Sequence, residues 1–220
     1  MKKTILTLAI IFGLTSLLSG QQTIKYSALY YHRASLFEKL PIHKSDIVFL
    51  GNSITHYAEW AEIFNDRHVK NRGISGDLVE GVYDRLDPII KGQPKKIFLL
   101  IGVNNLARNH CADSVLMGIE KIAEKIMKES PRTKLYIQSV FPVNSTFTNS
   151  PRHANKGPRI IELNNGIKKM CAEKGLTYID VYPALKSKDS EELDPKFTTD
   201  GLHLNGDAYM VWKEILEKYL

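Results

Sequence analysis

Residues 49–60 read "FLGNSITHYAEW", and they follow Asp46-Ile47-Val48. An unbroken apolar run reaches Leu50, stops at Gly51 and Asn52, and delivers Ser53 as a helical pattern begins after His56. A strand that is apolar throughout, rather than alternating, is buried on both faces, the mark of a parallel sheet covered by helices. Further candidate strands occupy 68–72, 97–101, 134–139 and 177–181, with helix-like segments near 57–65, 78–91, 113–129, 159–174 and 206–219. In the 159–174 segment Ile160, Ile161, Leu163, Ile167, Met170 and Cys171 share one broad face, and Gly175 suits a left-handed cap. The alternation predicts a three-layer α/β/α domain around a five-stranded parallel sheet. Open sheets of that kind bind ligands beyond the carboxyl ends of their strands.

The chain has 220 residues, 43% hydrophobic and 25% charged, which fits one core and one domain over residues 21–220. Residues 1–20 differ: Lys2 and Lys3 precede an apolar stretch that exits through Ser19 and Gly20. This is the pattern of a bacterial-type signal peptide, and it predicts a soluble, exported (periplasmic or secreted) protein with no stable membrane insertion after cleavage. A retained anchor is the other reading, although the apolar part is short for a span of ~20 residues. Gln21 stands where a lipidated cysteine would be needed. Without Lys2 and Lys3 the formal charge falls from +6 to +4. The remaining basic residues are scattered, so a nucleic-acid partner is not expected. Export would permit a disulfide between Cys111 and Cys171, but their helical surroundings favour free, buried thiols.

The strand ends carry the chemistry. The first delivers Ser53, the second "NRGISGD" (71–77) with Gly73 and Gly76, and the third "IGVNNLA" (101–107) with Asn104 and Asn105. Before the last helix lies "TDGLHLN" (199–205), with Asp200 and His203. Ser53 attacks only once a base takes its proton, and His203 suits that task near neutral pH. Asp200 is placed to orient the imidazole and to stabilise its charged form. The oxyanion formed on attack needs preorganised donors, each worth about 3–4 kcal/mol. The backbone N–H groups of Ser53 and Gly76 and the side-chain amide of Asn104 are the candidates. Each stretch alone is more often a cap or a turn; together they form the parts list for acyl transfer. Nothing matches a phosphate-binding or dinucleotide-binding glycine loop, and the seven histidines show no zinc-binding spacing, so neither cofactor nor metal is expected.

In order along the chain, "FLGNSIT", "NRGISGD", "IGVNNLA" and "TDGLHLN" resemble the four blocks of the GDSL, or SGNH, hydrolases. The branch they look most like holds platelet-activating-factor acetylhydrolase-like proteins and bacterial carbohydrate O-acetylesterases. The resemblance spans about residues 46–210. It implies a flavodoxin-like fold, Ser53, Asp200 and His203 as a triad, and Ser53, Gly76 and Asn104 as an oxyanion hole. Two positions depart from the family's pattern: Asn52 and Asn105 each replace an aspartate.

The long connection "VFPVNSTFTNSPRHANKGPR" (140–159) leaves a strand end and is expected to rim the site. Asn52, His56, Trp60, Asn105, Asn144 and His153 are the expected substrate-lining residues, with Trp60 equally suited to the core. This polar and aromatic set, without a large apolar lid segment, suits a short acyl group on a sugar. The expected partner is therefore a small-molecule or glycan ester. A lysophospholipase or arylesterase of the same chemistry, or a silent glycan-binding domain, is the alternative. The sequence leaves the oligomeric state open.

Overall fold

The computed structural model of the chain describes residues 25–220, so the expected leader lies outside the described residues. Five strands, β1 (Ile47–Gly51), β2 (Val69–Gly73), β3 (Lys96–Leu100), β4 (Lys134–Gln138) and β5 (Thr177–Ile179), form one wholly parallel sheet. Its order, β2-β1-β3-β4-β5, is the flavodoxin-like arrangement. The five expected strands are all present. The helices are α1 (Ala28–Lys39), α2 (Ser53–His56), α3 (Trp60–Ile63), α4 (Val79–Asp84), α5 (Asp87–Ile90), α6 (Val103–Ala107), α7 (Ala112–Glu129), α8 (Gly157–Lys174), α9 (Tyr182–Leu185) and α10 (Gly206–Glu217). Among the described residues no helix is long and apolar enough to cross a membrane.

Both faces of the sheet are covered, as the apolar runs of β1 and β3 require. Phe49, Phe98 and Tyr136 sit in register across β1, β3 and β4 and stack in sequence at 5.0 and 4.7 Å. Trp60 of α3 stacks on Phe49 at 4.0 Å, and Trp212 of α10 meets Trp60 edge-on at 4.7 Å. Val48, Leu50, Ile97 and Leu99 point the other way by strand alternation and are fully buried too. Each such side chain contributes about 1.5–3 kcal/mol by leaving water.

Several helices depart from the sequence pattern. In place of one helix over 57–65 there are two short ones, α2 ahead of that segment and α3 within it, because Ser53 starts α2 early and the backbone leaves it at Tyr57. The 78–91 segment breaks into α4 and α5 just before Pro88, whose ring cannot continue a helix. Gly175 ends α8 in the left-handed region (φ 66°), as expected. Cys171 is free and buried; Cys111 is free but exposed at the cap of α7, which corrects the expectation of two buried thiols.

One buried cluster fixes the carboxyl edge of the sheet. Arg85, just past α4, donates from Nε to Asp77 Oδ2 at 2.8 Å. Its Nη1 donates to the Arg72 carbonyl at 2.9 Å and its Nη2 to the Gly51 carbonyl at 3.0 Å. Both side chains of the ion pair are almost wholly buried. Removing Arg85 would strand a charge, so Arg85→Met should lower unfolding free energy by about 3–5 kcal/mol in denaturant titrations. A loss under ~1 kcal/mol would show that the pair is dispensable. Arg85→Met combined with Asp77→Leu should recover part of the loss.

Candidate active site

Ser53, Gly76 and Asn104 stand just beyond β1, β2 and β3, which are neighbours in the sheet. At the first of these ends, Asn52 caps α2: its Oδ1 accepts from the Ile54 N–H at 3.0 Å. Ser53 is thereby the first residue of the helix, and its hydroxyl points out rather than capping. Gly73 ends β2 against the backbone of α2; a Cβ there would run into the backbone of Thr55 and His56. Gly76 adopts φ 78°, a left-handed conformation that a side chain would strain, and the space beside it is open.

Ser53, His203 and Asp200 form a continuous relay. The His203 ring lies 2.9 Å from Ser53 Oγ through Nε2 and 2.6 Å from Asp200 Oδ2 through Nδ1. Asp200 Oδ1 accepts from the N–H groups of Leu202 (2.9 Å) and His203 (2.8 Å), so one carboxylate shapes the loop and orients the ring. Burial pushes the Asp200 carboxyl up. The hydrogen bonds from the His203 ring, the His203 N–H and the Leu202 N–H outweigh it and hold the group below its ordinary range. An ionised carboxylate can only accept, so His203 presents Nδ1–H to it and leaves Nε2 bare for the Ser53 hydroxyl.

Three donors remain beside this relay. Among the described residues, neither the Ser53 nor the Gly76 N–H bonds to another group of the chain. The first is an orphan of the helix start. Asn104 donates one Nδ2 hydrogen to the Asp77 carbonyl at 3.0 Å and has the second to spare. Its Oδ1 accepts from His153 Nε2 at 3.1 Å.

Of the expected lining residues, His153 reaches the site. His56, half-buried, holds Ser75 Oγ at 2.9 Å through Nδ1, next to Gly76. Burial, with Arg33 and Arg85 adding to it, lowers the His56 pKa. The other four expectations are corrected. Trp60 is 1% exposed and belongs to the core, its Nε1 donating to the Thr55 carbonyl at 2.8 Å. Asn52 is buried as the α2 cap. Asn144 is buried and donates to the Leu193 carbonyl, while its own N–H reaches the Gly201 carbonyl at 2.8 Å, tying the 140–156 loop to the Asp200 loop. Asn105 is buried, with Oδ1 accepting from the Val79 N–H at the start of α4 and Nδ2 donating to Glu80 at 3.0 Å. An aspartate there could cap α4 but would repel Glu80, which gives the amide a physical reason.

Tyr57, an aromatic residue expected near the site, reaches it, and Arg85 escaped the sequence reading as a site residue. Tyr57, 54% exposed, sets its ring 5.0 Å from that of His203. Arg85 anchors the Asp77 loop from inside; its only signal in the sequence is a charge among Val82, Leu86 and Ile89.

A five-stranded parallel sheet with a serine–histidine–carboxylate relay at its carboxyl edge places the chain among the α/β hydrolytic folds. The chain belongs to the GDSL-like lipase/acylhydrolase family, whose pattern residues 49–211 match. Among curated proteins it is similar to the platelet-activating factor acetylhydrolase IB subunit alpha1 of Rattus norvegicus, 31% identical over 103 residues. That match covers 44% of this chain and 44% of the relative, so the chain spans less than half of the curated protein. Among solved structures, a candidate platelet activating factor from Streptococcus pneumonia is 25% identical with a TM-score of 0.80, covering 87% of this chain and 92% of that one. A GDSL-like lipase from Bacteroides thetaiotaomicron shares the fold at a TM-score of 0.75 and 22% identity, covering 86% of this chain and 96% of that one.

The depressed Asp200 pKa has a consequence for stability. In the unfolded chain the carboxyl titrates near ~3.9; folded, it titrates lower. Its contribution is complete above the unfolded value and is lost as pH falls through the folded one. Unfolding midpoints measured from about pH 5 down to about pH 2 should show this loss in the wild type, and Asp200→Asn should lack that component. An identical acid profile in the variant would rule it out.

Proposed function

We propose that residues 21–220 form a single exported domain, freed of its leader, that hydrolyses short-chain esters, above all O-acetyl groups on carbohydrates or glycans. The observation that carries this reading is the unbroken Ser53–His203–Asp200 relay, with the unbonded N–H groups of Ser53 and Gly76 and the spare Nδ2 hydrogen of Asn104. His203 takes the Ser53 proton as Oγ attacks the ester carbonyl, and Asp200 stabilises the imidazolium. The Ser53 and Gly76 N–H groups and Asn104 Nδ2 receive the oxyanion. His203 then gives its proton to the departing alcohol, leaving an acyl-Ser53. Water, deprotonated by His203, releases the acid and restores Ser53.

The surroundings favour a small acyl group and a polar alcohol. Ile54, Val103 and Leu202, which adjoin Ser53, Asn104 and His203 in the chain, are all buried. The cavity that touches Gly76, of about 340 Å³, is lined by Tyr26, Ser27, Tyr30, Ser75, Asp77 and Arg108 among others. That is the size of a small-ligand site, with hydroxyls and charge among its apolar walls. The likeness to an acetylhydrolase subunit supports an acetyl group. A second reading, longer-chain or lysophospholipid esters, draws on the more apolar groove of about 660 Å³ along Val79, Tyr83 and Met117.

Acetate release from a panel of acetylated glycans, together with p-nitrophenyl esters of increasing acyl length, separates the readings. Acetate should be preferred, and Ser53→Ala or His203→Ala should cut kcat by at least about 10³-fold while the fold survives. A preference for octanoate would replace the acetylesterase reading with the second one. No turnover of any ester by the wild type would make the chain a silent binding domain.

A further inference from the structure

A side-chain amide used as an oxyanion donor has a weakness that a backbone N–H lacks. Rotating the terminal amide of Asn104 by half a turn would exchange Nδ2 for Oδ1 at almost no steric cost. An acceptor would then face the oxyanion. Two contacts act against this in the folded chain. The Asp77 carbonyl, 3.0 Å away, can only accept, so it selects the edge carrying Nδ2. On the other edge the His153 ring lies 3.1 Å from Oδ1 through Nε2. Oδ1 can only accept, so Nε2 must carry the hydrogen.

We propose that His153 is a positioning residue, whose Nε2–H locks the Asn104 amide with its spare Nδ2 hydrogen turned to the ester oxygen. The inference rests on the esterase reading above. His153 arrives from the 140–156 loop, the segment that follows β4, and is partly buried against the site. Burial first, and then the neighbouring His203, lower its pKa; Lys156 and Arg152 act the same way, and Asp200 opposes them. The ring is therefore a neutral donor through Nε2 at the pH where His203 would serve as base. Either failure of the lock, a lost donor or a shifted proton, leaves the amide held by the Asp77 carbonyl alone. Substrate binding does not depend on the lock, whereas stabilisation of the charged intermediate does.

The test is steady-state hydrolysis of p-nitrophenyl acetate by the full chain and by His153→Leu, His153→Asn, His153→Gln, Asn104→Ala and the Asn104→Ala/His153→Asn double variant. Loss of a whole oxyanion donor costs about 10²–10³-fold, so an unlocked one should cost about 10–100-fold in kcat, with KM little changed. His153→Asn, whose amide stops at the level of Nδ1, should behave like His153→Leu. His153→Gln, whose N–H reaches the level of Nε2, should regain most of the loss. With Asn104 already removed, His153→Asn should cost almost nothing more, because there is no amide left to orient. Circular dichroism identifies any variant that fails to fold; the two polar variants still decide the matter if His153→Leu is lost. Equal costs in the two backgrounds, a change confined to KM, or equal kcat for the Asn and Gln variants would each overturn the inference. An inert wild type would instead overturn the esterase reading on which it stands.

Discussion

A guanidinium in the interior holds the carboxyl edge of this sheet together. Arg85 ties the Gly51 and Arg72 carbonyls at the ends of β1 and β2 to the Asp77 carboxylate in the next loop. Asp77 in turn accepts from the Leu78 N–H, and its carbonyl takes the Asn104 amide from beyond β3. Three adjacent strand ends are thereby locked to one another through a single ion pair. Burial drives the Asp77 carboxyl up, and Arg85 pulls it back. A pair of this kind adds little net stability over an apolar substitute, because both charges must leave water. Its value lies in geometry. The groups it fixes are those on either side of Ser53, Gly76 and Asn104, so the cost of burying two charges falls where orientation matters most.

The same economy of contacts appears at Ser53. A serine between a strand and a helix can cap the helix or offer its hydroxyl outward, and one hydroxyl cannot fully do both. Asn52 resolves the conflict by capping α2 with its own side chain. Ser53 then keeps its N–H and Oγ for the site. Asn105 solves a similar problem at the third strand, where its amide accepts from the start of α4 and donates to Glu80 at once. Both positions at which the chain departs from the family's aspartate are thus amides in structural hydrogen bonds, and the Ser53–His203–Asp200 relay is complete beside them.

β1 and β3 were legible because burial on both faces leaves an unbroken apolar run that few other structures need, whereas β2, with Lys70, Asn71 and Arg72, was legible by its place in the alternation. The positions of Ser53, Gly76, Asn104, Asp200 and His203 were legible for a related reason: they follow those runs or precede the last helix. What a side chain faces was not legible. Trp60, Asn105 and Asn144 lie close to the site along the chain, yet packing turns them inward. α1 left no mark because Leu29 and Leu36 are exposed on it, while its inward stripe is only Tyr30, Ala34 and Phe37, packed on Ile74. Arg85 was hidden by the opposite rule. A charge inside an apolar pattern reads as an interruption, and only the folded chain shows which carbonyls it serves.

The site holds two histidines whose protons are set in opposite ways. The Asp200 carboxylate accepts from Nδ1 of His203 and so bares Nε2 toward Ser53. The Asp77 carbonyl fixes Asn104, and Asn104 Oδ1 then demands a hydrogen on Nε2 of His153. Each tautomer follows from an oxygen that can only accept. The arrangement is also consistent through a reaction cycle. In the proposed reaction a positive charge on His203 and a negative one on the oxyanion would arise together near His153, with opposite effects on its proton. His153 can donate from Nε2 whether neutral in that tautomer or charged, so in the proposed reaction Asn104 would keep its orientation while an oxyanion exists. The carboxylate sits by the ring proposed as the base, and the ring proposed as the lock is bonded to an amide, which has no charge to offer.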